Sequence, residues 1–194
     1  MYRSLLCIGI LCAVFILPSA ALAGPPTDTA KEGVDRVVAV AADKSLELSA
    51  KREKIRSIVA EFFDFNVLSR LTLGRHWKQF SPEQQEKFVQ FYRKLLENVY
   101  MDRILAYSGE KVLFEKETMN SENKAEVESN ISTGAQQIPI DYRMVKNKGN
   151  WKVYDVVIEG VSMVSNYRSQ FNEILAKQSP DELLKTLEER VKGS

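Results

Sequence analysis

Histidine and cysteine are scarce, with one and two copies in 194 residues. Zinc and copper sites are assembled from such side chains, so neither a metal centre nor another resident cofactor is expected. An excess of charge is also lacking: 27 Lys and Arg stand against 26 Asp and Glu, a net charge of +1. Neutralising phosphates needs a basic surplus, which argues against nucleic acid as the main partner. The chain has no G-x-S-x-G, no glycine-rich phosphate loop, no EF-hand loop, no paired-cysteine motif and no internal repeat. What is present is 44% hydrophobic and 27% charged residues, a balance that excludes a disordered chain. The length suits one domain with a real core.

The first 23 residues have the order of an export signal. Arg3 gives a positive start, Leu5 to Leu17 is an uncharged apolar run, and Ala21-Leu22-Ala23 forms an A-x-A site before Gly24. The run is shorter than the roughly 20 residues of a membrane-spanning helix, which disfavours an uncleaved anchor. Cys7 and Cys12 both fall in this segment, each after a leucine rather than the small residues of a lipoprotein site. The expected division is a signal peptide over 1–23 and a single domain over 24–194. Removing 23 residues from 194 leaves 171, with no cysteine and balanced charge. An exported domain without disulfides must be held by its core alone, which suits the bacterial periplasm.

Gly24 to Thr27 reads as a mobile polar leader. Helical spacing then runs from Asp28 to about Ala50 through Val34, Val37, Val38 and Ala41, and again from Arg52 to Phe63. Asp64 is placed to cap a short helix ended by Gly74. Ser81-Pro82-Glu83-Gln84 is a capping box opening a helix to about Tyr107. Past Gly109 the period falls to two. Strands are predicted over Lys111–Glu117, Lys124–Thr133, Gln137–Lys146 and Trp151–Glu159, a four-stranded antiparallel meander. The last is apolar on both faces, Trp151, Val153 and Val157 on one and Tyr154, Val156 and Ile158 on the other, so both are expected to be covered. Helices return over Ser162–Lys177 and, after the capping box Ser179-Pro180-Asp181-Glu182, to the end. The fold class is α+β, one antiparallel sheet of about four strands against a bundle of helices.

Little of the polar chemistry is distinctive. His76 beside Trp77 reads as a surface or interface residue, because no serine or cysteine partner for a triad exists. Asp155, expected on the face of Trp151, Val153 and Val157, has two readings. One is a general base in an apolar pocket; the other is a structural carboxylate bonded to backbone N–H groups or to Arg143. Glu159 reads as a turn or cap acid, and Lys51-Arg52-Glu53-Lys54 as a solvated face. The positive signal is surplus apolar surface: an aromatic-rich long helix, the two-faced last strand, and Val161, Met163, Val164 and Tyr167 after it.

The run from Trp151 to Met163, which contains Asp155-Val156-Val157-Ile158-Glu159-Gly160-Val161-Ser162, is followed by Asn166-Tyr167 and Gln170-Phe171. Upstream stand Phe63-Asp64-Phe65, Leu73-Gly74, Trp77, Ser81-Pro82-Glu83-Gln84 and Phe88. Together these resemble the MlaC or toluene-tolerance family of periplasmic auxiliary components of ABC-type phospholipid transport, over most of Lys51 to Leu187. The related hopanoid-associated HpnM type is not separated from it by these residues. The resemblance implies a carrier with no catalytic residues, which holds a diacyl phospholipid by its tails between sheet and helices. Its implied partners are an inner-membrane ABC transporter with an MCE-domain subunit and an outer-membrane lipoprotein–porin complex. Expected pocket residues are Tyr107, Ile140, Tyr142, Met144, Val157, Val161, Met163 and Val164, with Tyr100, Leu105 and Phe171 as further members. An acidic residue at Val161 is expected to expel lipid. The alternative is a small periplasmic enzyme using Asp155 as base on a hydrophobic substrate.

Overall fold

Three of the six α-helices among the described residues begin on a proline, where its missing N–H costs no hydrogen bond and its fixed φ suits the first turn. These are α1 (Pro25–Ala42), α4 (Pro82–Leu105) and α6 (Pro180–Lys192). In α4 and α6 the proline follows a capping serine, Ser81 with Gln84 and Ser179 with Glu182, and each pair forms the reciprocal capping box. The computed structural model describes residues 24–107, 109–132, 134 and 136–193. The expected signal peptide over 1–23, and Thr133 at the expected end of the second strand, lie outside these.

The remaining helices are α2 (Leu48–Phe62), α3 (Phe65–Leu73) and α5 (Met163–Leu175), with a 3₁₀ segment over Gly74–Gln79. Strands β1 (Lys111–Ser121), β2 (Lys124–Ser132), β3 (Gln137–Asn147), β4 (Asn150–Ile158) and β5 (Val161–Ser162) form one antiparallel sheet in chain order. The fifth strand adds to the expected four. The chain reverses at Glu159 and Gly160, both at positive φ (50° and 79°), and pairs Ile158 with Val161. Two successive left-handed residues are the signature of the tight turn that matches strand twist.

Two expectations at the N-terminal side are corrected. Gly24 to Thr27 is not a mobile leader, because helix α1 already begins at Pro25. Gly24 offers no side chain to cap this helix, and Glu117 of β1 does so from across the fold. One oxygen of its carboxylate accepts from Gly24 N (3.1 Å), Thr27 N (2.9 Å) and Thr27 Oγ1 (2.7 Å). The helix expected to reach Ala50 stops at Ala42. There Asp43 Oδ1 accepts from Ser45 N and Oγ (2.8 and 2.6 Å), a side-chain turn that competes with continued helix.

The core divides into two clusters. In one, α4 and α5 interlock through aromatic rings, Phe88 against Phe171 (5.5 Å) and Tyr92 against Tyr167 (5.2 Å), with Leu183 and Leu187 of α6 closing the side. In the other, Ala30 of α1 covers Val127, Met144, Trp151 and Val153 of the sheet. Phe63 and Val156 touch both. His76 is buried rather than at the surface. Its Nε2 accepts from Arg75 Nε (3.3 Å), leaving Nδ1 to donate to Gln79 Oε1 (3.0 Å). No helix among the described residues is long and apolar enough to cross a membrane.

Glu117→Ala removes the side-chain cap of α1 and should cost about 2 kcal/mol, the upper end of the range for a helix cap. Phe88→Ala, in the aromatic cluster, should cost about 4 kcal/mol. Denaturant unfolding of the two variants checks both values and their order.

Candidate functional site

Between the two core clusters lies a cavity of about 540 Å³, within the size range of small-ligand sites. Its walls follow from three local patterns. On α1, Ala30, Val34, Val37, Val38 and Ala41 recur at helical spacing along one face, and all line the cavity. Gly33 on the same face lets α1 approach α2, since a Cβ there would stand 3.0 Å from the Phe62 ring. On α2, Ile55, Ile58, Val59 and Phe62 supply the adjoining wall, and on α4 Leu96, Tyr100, Met101 and Ile104 do so.

The sheet contributes with period two: Ile138, Ile140 and Tyr142 on β3, and Val156 and Ile158 on β4. A bulge then changes the phase. Arg143 pairs with Asp155 and Met144 with Val153, so Tyr154 is the extra residue and Val153 joins the same wall as Val156.

Ionisable groups in the wall are few. Glu97, whose side chain is 11% exposed, accepts from Arg93 Nε (2.7 Å) and lies 3.5 Å from Arg56 Nε, so it sits neutralised between two guanidiniums. The Tyr107 hydroxyl donates to the Glu110 carbonyl. Burial pushes the Tyr142 phenol up to about 12, so it stays neutral. Of all the lining residues, only Arg103, Ala106 and Glu159 are exposed, which locates the mouth between the end of α4 and the β4–β5 turn.

Among the residues expected in a pocket, Tyr100, Tyr107, Ile140, Tyr142 and Met163 lie together in this wall. Six others do not. Met144 is on the cavity face of the sheet but deeper, packed under Ala30. Val157 alternates with Val156 and so faces the other side of the sheet. Val164 and Phe171 belong to the aromatic cluster against α4. Leu105 is half-buried at the last turn of α4, outside the wall. Val161 is 58% exposed on the hairpin and also outside it, so a charge there is not expected to reach a bound tail. The largest omission is the α1–α2 wall; the Val34, Val37, Val38 and Ala41 stripe was the signal for it.

Residues 31–189 match the sequence profile of the family described as MlaC protein. The chain belongs to the MlaC family. The intermembrane phospholipid transport system binding protein MlaC of Haemophilus influenzae is 29% identical over 143 residues, 71% of this chain and 67% of that protein. The toluene tolerance protein ttg2D of Pseudomonas putida is 20% identical over 148 residues, 70% of this chain and 69% of that protein. Among solved structures, the phospholipid-binding protein of Ralstonia solanacearum, in complex with a phospholipid, matches with a TM-score of 0.81 at 25% identity. That match covers 88% of this chain and 98% of the other.

The block that carries the MlaC resemblance has a structural explanation. Asp155 is 2% exposed. Its Oδ2 accepts from Ser162 Oγ (2.6 Å) and Arg143 NH1 (3.2 Å), and its Oδ1 from Val164 N (2.9 Å). Ser162 in turn caps α5 by accepting from Ser165 N (3.0 Å). The bulge at Tyr154 puts Asp155 on the opposite face from Val153, which corrects the expected shared face. The carboxylate does not line the cavity, and its oxygens serve β3, β5 and the start of α5.

Asp155→Asn should destabilise by about 3 kcal/mol, because it leaves the α5 start without its charged partner and Arg143 with Glu126 (3.6 Å) alone; equilibrium unfolding measures this. A second outcome follows from Tyr142. Between its unfolded value near 10 and its folded value of about 12, the folded chain keeps a proton the unfolded chain has lost. Stability therefore falls as pH rises through that window, and the fall should be smaller in Tyr142→Phe.

Proposed function

We propose that this chain is a periplasmic lipid carrier, which takes the tails of a diacyl glycerophospholipid into the cavity and moves the lipid between outer and inner membranes. The observation that carries this reading is a wall almost wholly apolar, in a fold that matches the phospholipid-bound Ralstonia protein. Each buried methylene is worth about 0.8 kcal/mol, so two tails of about 14 methylenes cost on the order of 20 kcal/mol in water. A lipid does not cross an aqueous gap unshielded at a useful rate. A wall as apolar as the bilayer makes each hand-off nearly neutral, so direction comes from the partners: an inner-membrane ABC transporter with an MCE-domain subunit, and an outer-membrane lipoprotein–porin complex. None of the proposed steps breaks a covalent bond, and no catalytic residue is assigned.

Export with cleavage after Ala23 belongs to the same reading, with 24–194 as the lipid-binding domain. The A-x-A pattern supports it, and so does the contact at position 24. The Gly24 nitrogen, which donates to Glu117 as an amide, would become an ammonium 3.1 Å from that carboxylate.

Extraction of the exported protein is expected to yield diacyl phospholipid, and its intact mass to equal residues 24–194. Hopanoid in the extract would redirect the reading to the hopanoid-associated type, and a lipid-free protein would sink it. Val37→Glu puts a carboxylate into the wall from an otherwise half-buried helix position and should abolish lipid retention by native mass spectrometry. Val161→Glu, outside the wall, should retain it.

A further inference from the structure

We propose that Arg103 is the specificity residue of the cavity, a guanidinium kept free to grip the phosphodiester of the bound lipid. The proposal rests on the carrier reading above and deepens it. Two arginines line the cavity, and they differ in their partners. Arg56 is satisfied by Glu53 (2.6 Å) and Glu97 (3.5 Å). Arg103 has no carboxylate partner among the described residues. The adjacent acid, Asp102, is held by Arg52 at 2.6 Å, and Glu159, exposed at the same mouth, forms no ion pair with Arg103. Its guanidinium stands over the Tyr100 ring, with the centroid 5.9 Å away, at the outer edge of a cation–π contact. Tyr100 is itself part of the wall, so the charge is leaned against the apolar surface.

The chemistry of the ligand supplies the match. In a glycerophospholipid the phosphodiester is separated from the tails only by the glycerol. Tails in the cavity therefore bring the phosphate to the mouth. A guanidinium fork presents parallel N–H donors to two phosphate oxygens, a geometry an ammonium does not offer. Because every glycerophospholipid has a phosphate at that position, Arg103 selects the class and leaves the outer headgroup unread. Lipids with the same tails but no phosphate, such as diacylglycerol, fill the cavity without engaging it. The competing role for a cation in the last turn of α4 is structural, complementing the negative end of the helix. That role would move stability and leave selectivity alone.

The mature protein is incubated with vesicles holding equal amounts of phosphatidylethanolamine and diacylglycerol with identical tails, and the bound lipids are extracted and weighed by mass spectrometry. The wild type is expected to enrich the phospholipid about tenfold, as one charge-assisted contact allows. Arg103→Gln should lose the enrichment while binding both lipids, and Arg103→Lys should keep part of it. Raised salt should lower the wild-type ratio. Unchanged enrichment in Arg103→Gln, with or without a shift in melting temperature, overturns the proposal. So does displacement of the phospholipid by inorganic phosphate alone, which would mark a free-anion site. If the wild type takes up neither lipid, it is the carrier reading that fails.

Discussion

A single buried carboxylate sets how the sheet and the helices meet. Asp155 joins β3 through Arg143, the β5 hairpin through Ser162 and the first turn of α5 through Val164 N. A charge taken out of water is tolerable only when it is paired and hydrogen-bonded, so this geometry admits little slack. It fixes the angle at which α5 leaves the sheet. That angle brings Tyr167 and Phe171 onto Tyr92 of α4, and it holds Met163 at the edge of the cavity. The aromatic core and the position of α4 both follow from where β4 ends.

The cavity exists because the two clusters are not merged. Helices α3 to α6 pack against one another, while α1 spans the gap to the sheet and touches it chiefly near Ala30. Besides its packing on α2, α1 is tied by polar contacts: Glu117 at its start, Arg36 with Glu61 of α2 at 2.7 Å, and Lys51 Nζ on the Ala41 carbonyl at 2.6 Å. The Arg36–Glu61 pair is exposed, and exposed pairs contribute about 0–1 kcal/mol. Helix α1 packs closely on α2, where Gly33 faces the Phe62 ring, and it lines the cavity along most of its length.

Much of this was legible in the sequence. The capping boxes at Ser81 and Ser179 and the Asp64 cap (Val67 N to Asp64 Oδ1, 2.9 Å) are local chemistry, and they stand where the residues put them. The period-two segments formed their strands. The family block and its fold were recognisable because Asp155, Gly160 and Ser162 have fixed structural jobs. What was not legible depended on contacts between distant segments. Glu117 lies 93 residues from Gly24, and no local pattern announces that it will cap α1. The bulge at Tyr154 reverses the facing of half a strand, which is why Val157 and Asp155 were placed on the wrong side. Val164 and Phe171 show a further ambiguity: apolar residues at helical spacing serve a core and a cavity equally, and only the packing partner decides between them. Tyr142 and Ile140 were easier, since β3 has a polar face that fixes the other one.

The start of α1 also constrains which leaders can be grafted onto this protein. The carboxylate of Glu117 occupies the space beside position 24 so closely that a Cβ there would stand 2.2 Å from its Oε1. A foreign leader that keeps glycine at the junction keeps the Glu117 cap in place. A fusion scar that leaves a side chain at that position displaces the carboxylate and loosens the first wall of the cavity.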